Sequence, residues 1–482
     1  MFLILGAVIL IGAGFFLYSY LFPKPDDFSR FSWVDAFNKM HSKLSKEYAF
    51  TKWKKIDWQT MYDRTLPEIT SAQDTKNFDA YYLALRSYLT TIPDGHVRTD
   101  NLKEIDDKYI GGGFGFSAVK LTDGSIIASW IDKSGPAYEA GMEVGARLIR
   151  WNKEPIDTAI ANVSTVFAGT SPTIENLEYK KVQYLTRAPI GAEVEIEFQN
   201  PNQFSKVITL KAYDDHGLSL KKNYPDAVIS NKIRSMFLNL EDPDPIPSAM
   251  VESKTLEGNI SYIKILGEID ADLKESGKMP STLDLFRQAV QTAIDAKSAA
   301  IILDLRNNIG GLDAMAADIL GNFYQEKTLF EYQNMYNETT GKLEIVKIDS
   351  NSDALYIEPA QAYFGGNIIV LINQKCVSSC EGIAMGVQNL PNGKTLGFYG
   401  TNGSFGMAGA EIKMPGGLTV HFPSGQSLNK DREVQLDSKD GLGGVSPSIR
   451  IPMTAENAIR VVNGEDVELE EALRIIKQNR SF

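Results

Sequence analysis

Apolar positions in the first part of the chain recur at helical spacing. Between 33 and about 91 the pattern is amphipathic, as in Phe78, Tyr81, Tyr82, Leu85 and Leu89, three and four residues apart. It breaks at Ile92-Pro93-Asp94-Gly95-His96, where proline and glycine enforce a turn. His96 is thereby expected on a loop just after a helix. Beyond Gly111 the period shortens. Runs at 126–131, 147–151, 193–198 and 206–210 read as strands, with a short helix over 134–142 between them.

The last part alternates in a third way. Strands are expected at 259–266, 299–305 and 367–372, and helices at 282–296, 312–323 and 381–390. The strands are almost uninterrupted apolar runs, the mark of a largely parallel sheet buried on both faces. Sites in such sheets gather at the carboxyl ends of the strands. Asn307-Asn308-Ile309-Gly310-Gly311 and Ser378 both fall there.

Ser378 sits in Cys376-Val377-Ser378-Ser379-Cys380-Glu381-Gly382, between a buried strand and a helix start. A helix N-terminus offers free N–H groups and a positive partial charge, which can hold an oxyanion formed on an attacked carbonyl. Serine is also a preferred helix cap, and that plain reading stands beside the nucleophilic one. The chain's two cysteines flank Ser378. Their spacing permits a small bridge in an oxidising compartment, although cysteine is among the residues most often buried as a free thiol, and that is the reading favoured here.

Three stretches resemble known families. Gly113-Phe114-Gly115-Phe116 is similar to the carboxylate-binding loop of a PDZ domain. The Gly135-Pro136-Ala137…Ala140-Gly141 block and the strand after it resemble that domain's core. The resemblance implies that a peptide adds as a strand at this sheet's edge, its terminal carboxylate on the glycine turn. Asp304-Leu305-Arg306-Asn307-Asn308-Ile309-Gly310-Gly311 resembles the D-L-R-x-N-x-G-G signature of the C-terminal processing (tail-specific) serine peptidases. Carried over position by position, the resemblance makes Ser378 the nucleophile, three residues before Glu381. Gly310 and Ser379 become the oxyanion donors. The implied fold combines α/β and α+β domains around a ClpP/crotonase-like α/β peptidase core. It implies a helical segment over 24–106, a PDZ domain over 107–215 and the core over 216–482.

One departure matters. Typical members take a lysine base from a G-x-x-T-x-G-K-G loop, but this chain has Ser404 at the matching position and no lysine between Lys394 and Lys413. Lys394 reads as a solvated turn residue. Serine needs a base, and histidine suits neutral pH. Asp94-Gly95-His96 resembles the D-x-H loop of the tricorn-core branch, where histidine pairs with serine, so His96 is the expected base, with a purely structural histidine as the alternative. His41, His216 and His421 lie in contexts that favour other roles. Asp94, Asp437 and Asp440 all stand as candidates to orient the imidazole, while Glu381 and Ser404 are expected to support the site.

Composition narrows the remaining choices. The chain has 482 residues, long enough for two or three domains, and a globular balance of 43% hydrophobic and 23% charged residues. Its net charge of −12 argues against nucleic acid as a partner. No zinc-peptidase, C-x-x-C or phosphate-loop pattern occurs, and no metal or other cofactor is expected. Residues 2–22 carry no charge and are mostly apolar, enough to span a bilayer, so 1–23 is expected to be a transmembrane anchor; a cleaved signal peptide is the rival reading, less well matched because no Lys or Arg precedes the run and no A-x-A-like site follows it. The expectation is a single-pass, membrane-anchored serine endopeptidase. It would act on protein or peptide C-terminal segments, with its catalytic part outside the cytoplasm. The alternatives are a non-catalytic relative that binds peptides or ligands and a membrane-tethered scaffold.

Overall fold

The computed structural model describes residues 26–229, 247–270 and 281–478. The apolar stretch read as an anchor lies outside the described residues. Among those described, no helix is long and apolar enough to cross a membrane.

Three helices come first: α1 (Trp33–Glu47), α2 (Trp58–Asp74) and α3 (Phe78–Thr90). Each starts on a side-chain cap. Ser32, Asp57 and Asn77 accept the N–H of Asp35, Thr60 and Ala80, satisfying donors that the first turn leaves free. The chain leaves α3 just before Pro93, which has no N–H and disfavours helical backbone at the residue before it. The turn that follows delivers His96.

A small antiparallel sheet comes next: β1 (Phe116–Lys120), β2 (Ile126–Ile131), β3 (Arg147–Trp151), β4 (Glu193–Gln199) and β5 (Ser205–Lys211), lying side by side in that order. In β4 the alternation is strict: Val194, Ile196 and Phe198 are buried while the glutamates between them point outward. Helix α4 (Ile174–Leu185) packs across β1.

The principal elements beyond residue 250 are β6 (Val251–Leu256), β7 (Ile260–Ile265), α5 (Thr282–Asp295), β8 (Ala300–Asp304), α6 (Asp313–Leu320), β9 (Thr328–Asn337), β10 (Asn367–Leu371), α7 (Ser379–Gln388), β11 (Gly393–Gly397), β12 (Met407–Lys413), β13 (Thr419–Leu428), β14 (Ile449–Arg450), α8 (Ala455–Val462) and α9 (Val467–Gln478). The main sheet runs β6-β7-β8-β10-β11-β14. Its β6–β7 hairpin is antiparallel and every other pair is parallel. Both faces are covered, as the unbroken apolar runs require. Ile301, Leu303, Ile368 and Val370 pack toward Phe286 of α5 and Ile383 of α7, while Ile302, Ile369 and Leu371 pack toward Ile475 and Ile476 of α9. Arg306, fully buried, binds Asp304, Asp466 and Glu468 and so ties the C-terminal helix to the end of β8. Removing one partner of such a buried cluster costs about 3–5 kcal/mol.

A second sheet is built on β12, β13 and β9, paired antiparallel. Arg98 and Thr99, just past the α3 turn, pair with His421 and Val420 of β13. Phe37, Leu85 and Tyr88 of the helices share a core with Ile412, Val420 and Phe422 of this sheet. The helical segment is therefore fastened to the body that carries Ser378, and its exit turn lies against the loops at that site.

Candidate active site

Ser378 follows β10 by a short turn and precedes the first residue of α7. Its backbone lies at φ 62°, ψ −133°, a region that side chains avoid and that costs on the order of 1–3 kcal/mol. The position is that of a helix cap, yet the Ser378 side chain makes no capping hydrogen bond. The plain reading of this serine therefore does not describe it. Neighbours fix the strained turn. Ser378 N–H donates to Ser404 O at 3.0 Å, Asn402 N–H donates to Cys376 O at 2.9 Å, and Asn373 Nδ2 donates to Asn307 Oδ1 at 2.9 Å, joining the ends of β10 and β8. The two cysteines form a disulfide across the turn, with Cα atoms 5.6 Å apart. This corrects the expectation of free thiols, and with both sulfurs bonded neither cysteine is a nucleophile in this state.

Gly310 is placed directly against the serine. A Cβ at this position would lie 2.6 Å from Val377 O and 2.7 Å from Ser378 Cβ, and the residue has φ +79°. Only glycine fits both constraints. Its N–H donates to Asn308 Oδ1 at 2.8 Å, so the N–H expected as an oxyanion donor is engaged within its own turn. Ser379, the first residue of α7, is fully buried, and its hydroxyl donates to Glu268 Oε2 at 2.6 Å.

Glu381 holds the opposite wall. It is fully buried, accepts the Thr401 hydroxyl and Gly403 N–H on Oε1, and accepts Ser404 N–H on Oε2 at 2.9 Å. Burial lifts its carboxyl to about 7 against the pull of these three donors. Ser404, where the resemblance would have had lysine, is the joint of the site. Its carbonyl receives Ser378 N–H, while its hydroxyl accepts Gly95 N–H at 2.7 Å, next to His96.

His96 is buried at 9% exposure, and its Nδ1 faces Asp94 Oδ1 at 3.5 Å without a hydrogen bond. Asp94 also takes the His96 N–H at 2.9 Å and the Tyr48 hydroxyl at 2.8 Å. Burial would raise this carboxyl, but the Lys54 charge and the His96 contacts hold it well below the usual range. Of the three acids left open by the sequence, Asp94 is the one facing the ring. Asp437 pairs with Lys54 at 2.5 Å and accepts Phe405 N–H, whereas Asp440 lies on the surface against Lys55.

The other histidines are held elsewhere. His41 Nδ1 meets Tyr88 among the helices, His216 is exposed beside Asp214, and His421 faces Glu411 from β13. Lys394 is a half-buried residue of β11 and not a solvated turn residue.

The proposed carboxylate loop is filled. Gly112 and Gly113 pair on both sides, with Asp214 and Tyr213 and with Ala188 and Arg187. A Cβ on Gly113 would fall 2.3 Å from Asp215 Oδ2, because the buried Arg187–Asp215 ion pair occupies that side. Phe114 and Phe116 belong to the small sheet's core, and Gly115 (φ +84°) turns the chain between them. The open glycine turn expected from sequence is thus corrected: an internal carboxylate sits beside it.

Residues 259–451, from β7 to the end of the main sheet, match the model of peptidase family S41. The chain carries a serine-type peptidase domain of family S41. Three solved structures share its overall fold at 13% identity. Mature CPAF matches with a TM-score of 0.62, covering 93% of this chain and 98% of that one. Mature CPAF complexed with lactacystin gives 0.61, with 93% and 99% covered, and a CPAF mutant gives 0.63, with 93% and 97%. No curated protein matches the sequence. The family S41 segment contains Gly310, Ser378, Ser379, Glu381 and Ser404, whereas His96 comes from the helical segment outside it. Sequence reasoning missed Tyr48, Lys54 and Glu268 and gave Asn308 only as part of the signature, without its contacts. Glu268, a lone acid just after the apolar run of β7, left a visible signal.

Proposed function

We propose that this chain is a membrane-anchored serine endopeptidase of the C-terminal processing type, with His96 in place of the customary lysine as base. The observation that carries the reading is the strained Ser378 turn, packed on Gly310 and joined through Ser404 to the backbone N–H next to His96. In this reading Ser378 Oγ attacks the scissile carbonyl as His96 takes its proton. The imidazolium, oriented by ionised Asp94, returns that proton to the leaving amine. Water, deprotonated by the same imidazole, then releases the acyl group from Ser378. The negative charge on the carbonyl oxygen falls to Ser379 N–H at the start of α7, and to Gly310 N–H once it exchanges Asn308 Oδ1 for the substrate oxygen.

The small sheet is proposed to act as a PDZ-like module. A cavity of about 370 Å³ between β1, α4 and the end of the main sheet, lined by Val119, Lys120, Glu178, Tyr179, Arg450 and Met453, would receive an extended peptide segment, without the terminal-carboxylate contact that the filled glycine turn excludes. The disulfide suits an oxidising compartment, which supports a catalytic part outside the cytoplasm with residues 1–23 as the anchor.

Fluorophosphonate labelling and peptide hydrolysis test this reading in the full chain, Ser378→Ala and His96→Ala. Loss of both activities in Ser378→Ala and of turnover in His96→Ala is expected. Hydrolysis by Ser378→Ala at the original rate overturns it. A peptide-binding, non-catalytic role is the second reading, favoured by the engaged Gly310 N–H. Peptide binding with no labelling of Ser378 would select that role.

A further inference from the structure

Lys54 lies in the turn between α1 and α2, far in sequence from the peptidase segment, yet its side chain is 1% exposed. Its Nζ donates to Pro93 O at 2.7 Å, pairs with Asp437 Oδ1 at 2.5 Å and stands 3.5 Å from Asp94 Oδ2. Each contact belongs to a different part of the proposed machinery. Pro93 and Asp94 carry the His96 turn. Asp437 Oδ2 accepts Phe405 N–H, one residue from the Ser404 joint. One ammonium therefore joins the base loop to the loop behind the nucleophile. Paired carbonyl and carboxylates on every side, with its charged form favoured, it cannot serve as the missing lysine base.

We propose that Lys54 is a positioning residue: by clamping Asp437 and standing beside Asp94 and Pro93 O it keeps Asp94 in place to orient the His96 imidazole. This rests on the serine peptidase reading above. The distances set the division of labour. The ammonium binds Asp437 Oδ1 directly and stands beside Asp94 Oδ2, which leaves Asp94 Oδ1 to face His96. Without the cation, two buried carboxylates confront each other and must share a proton, as like charges in one site do. Asp94 faces Lys54 on the base side, itself contacted by Tyr48 and His96, and Asp437 faces it on the other, with Glu381 acting on Asp437 from behind.

The test compares the full chain with Lys54→Met, Lys54→Arg and the double variant Lys54→Met/Asp437→Asn, reading kcat, KM and the pH profile on one peptide substrate. Lys54→Met is expected to lower kcat about 100-fold with KM nearly unchanged, the scale of a slight misplacement of a catalytic group. Its acidic limb is expected to move to higher pH, because Asp94 must now lose a shared proton before it can serve. Lys54→Arg should recover most of kcat. The double variant, which removes cation and surplus carboxylate together, should recover at least tenfold over Lys54→Met. An acidic limb at its original pH in Lys54→Met, or a double variant that recovers nothing or fails to fold alongside it, overturns the proposal and leaves Lys54 a structural tie. Ser378→Ala and His96→Ala run in parallel: activity in those variants sinks the peptidase reading itself, whereas their inactivity beside an unaffected Lys54→Met sinks only this inference.

Discussion

Gly310→Ala is the sharpest perturbation the site offers. The residue has φ +79°, and holding alanine there costs about 1–2 kcal/mol. The added methyl meets Val377 O at 2.6 Å and Ser378 Cβ at 2.7 Å, about 1 Å inside an ordinary contact. Both neighbours belong to the nucleophile turn, which the disulfide and the Ser404 hydrogen bond already hold, so neither can yield without moving Ser378. Overpacking of this kind costs a further ~1–3 kcal/mol. Relief requires the β8 and β10 loops to separate by about 1 Å, a displacement worth roughly 100-fold in rate at a reacting centre. The assay is kcat/KM on a quenched peptide together with the rate of fluorophosphonate labelling, each beside a thermal melt. Gly258→Ala serves as control. That residue also has positive φ (+85°), but the nearest atom to its Cβ, Ile260 Cδ1, is 3.8 Å away, so it carries the torsional cost without the collision. Equal losses in the two variants, or a Gly310→Ala protein with kcat/KM within about twofold of the original, would refute the close packing of Gly310 on the nucleophile.

Three other outcomes follow from the same geometry. Glu381→Gln sets an amide N–H against one of three donors and forfeits charge-assisted bonds worth about 1.5–3 kcal/mol, so the melting temperature should fall and Ser378 labelling should slow at least about tenfold. An unchanged labelling rate would count against the Glu381–Ser404 support. Opening the Cys376–Cys380 bridge with dithiothreitol should slow labelling of the original protein, while a Cys376→Ser/Cys380→Ser variant ignores the reagent; equal sensitivity of the two would show that the thiol acts elsewhere. Stability should rise as pH falls from 8 to 6.5. Burial lifts the Glu331 and Glu381 carboxyls to about 7 and Asp437 to about 6, so between their unfolded values and those figures the folded chain binds more protons than the unfolded one. Asp94 is displaced downward, and its contribution is complete above its unfolded value and does not oppose the trend. Below pH 6.5 His41 and His421, which burial pushes down, oppose the trend; a melting temperature that is flat or climbing from pH 6.5 to 8 contradicts it.

The main sheet was legible because its strands are buried on both faces. Apolar runs at 299–305 and 367–372 can be little else, and they contain β8 and β10. The helical face of α3 and the Pro93 stop were equally plain, as was Ser378 at a strand end. The second sheet was not read, because β9 and β13 mix polar and apolar positions and take their register from partners far away in the chain. The same holds for the site's supports. Lys54 sits in a run of mixed charges with no periodicity, and its meaning comes only from Asp94 and Asp437 closing on it. The glycine turn at 113 misled for a related reason. The sequence displays glycines free to face a ligand, but the carboxylate that occupies that space, Asp215, arrives from about a hundred residues downstream.

The proposed arrangement accounts for a serine peptidase with no lysine beside Ser378. A lysine base must be held neutral by burial, which demands a site poor in charge. Here the neighbourhood of Ser404 is rich in carboxylates: Glu381 behind the nucleophile turn, Asp437 beside Phe405 and Asp94 under His96. An ammonium placed among them would stay protonated, as Lys54 does, and would serve as a tie instead of a base. An imidazole gains in the same surroundings, because an adjacent ionised carboxylate stabilises the cation it becomes on accepting the serine proton. In the proposed reading, placing Ser404 where lysine is customary therefore goes together with recruiting His96 as base from the helical segment. The 2.7 Å bond from Gly95 N–H to the Ser404 hydroxyl joins the two changes in space.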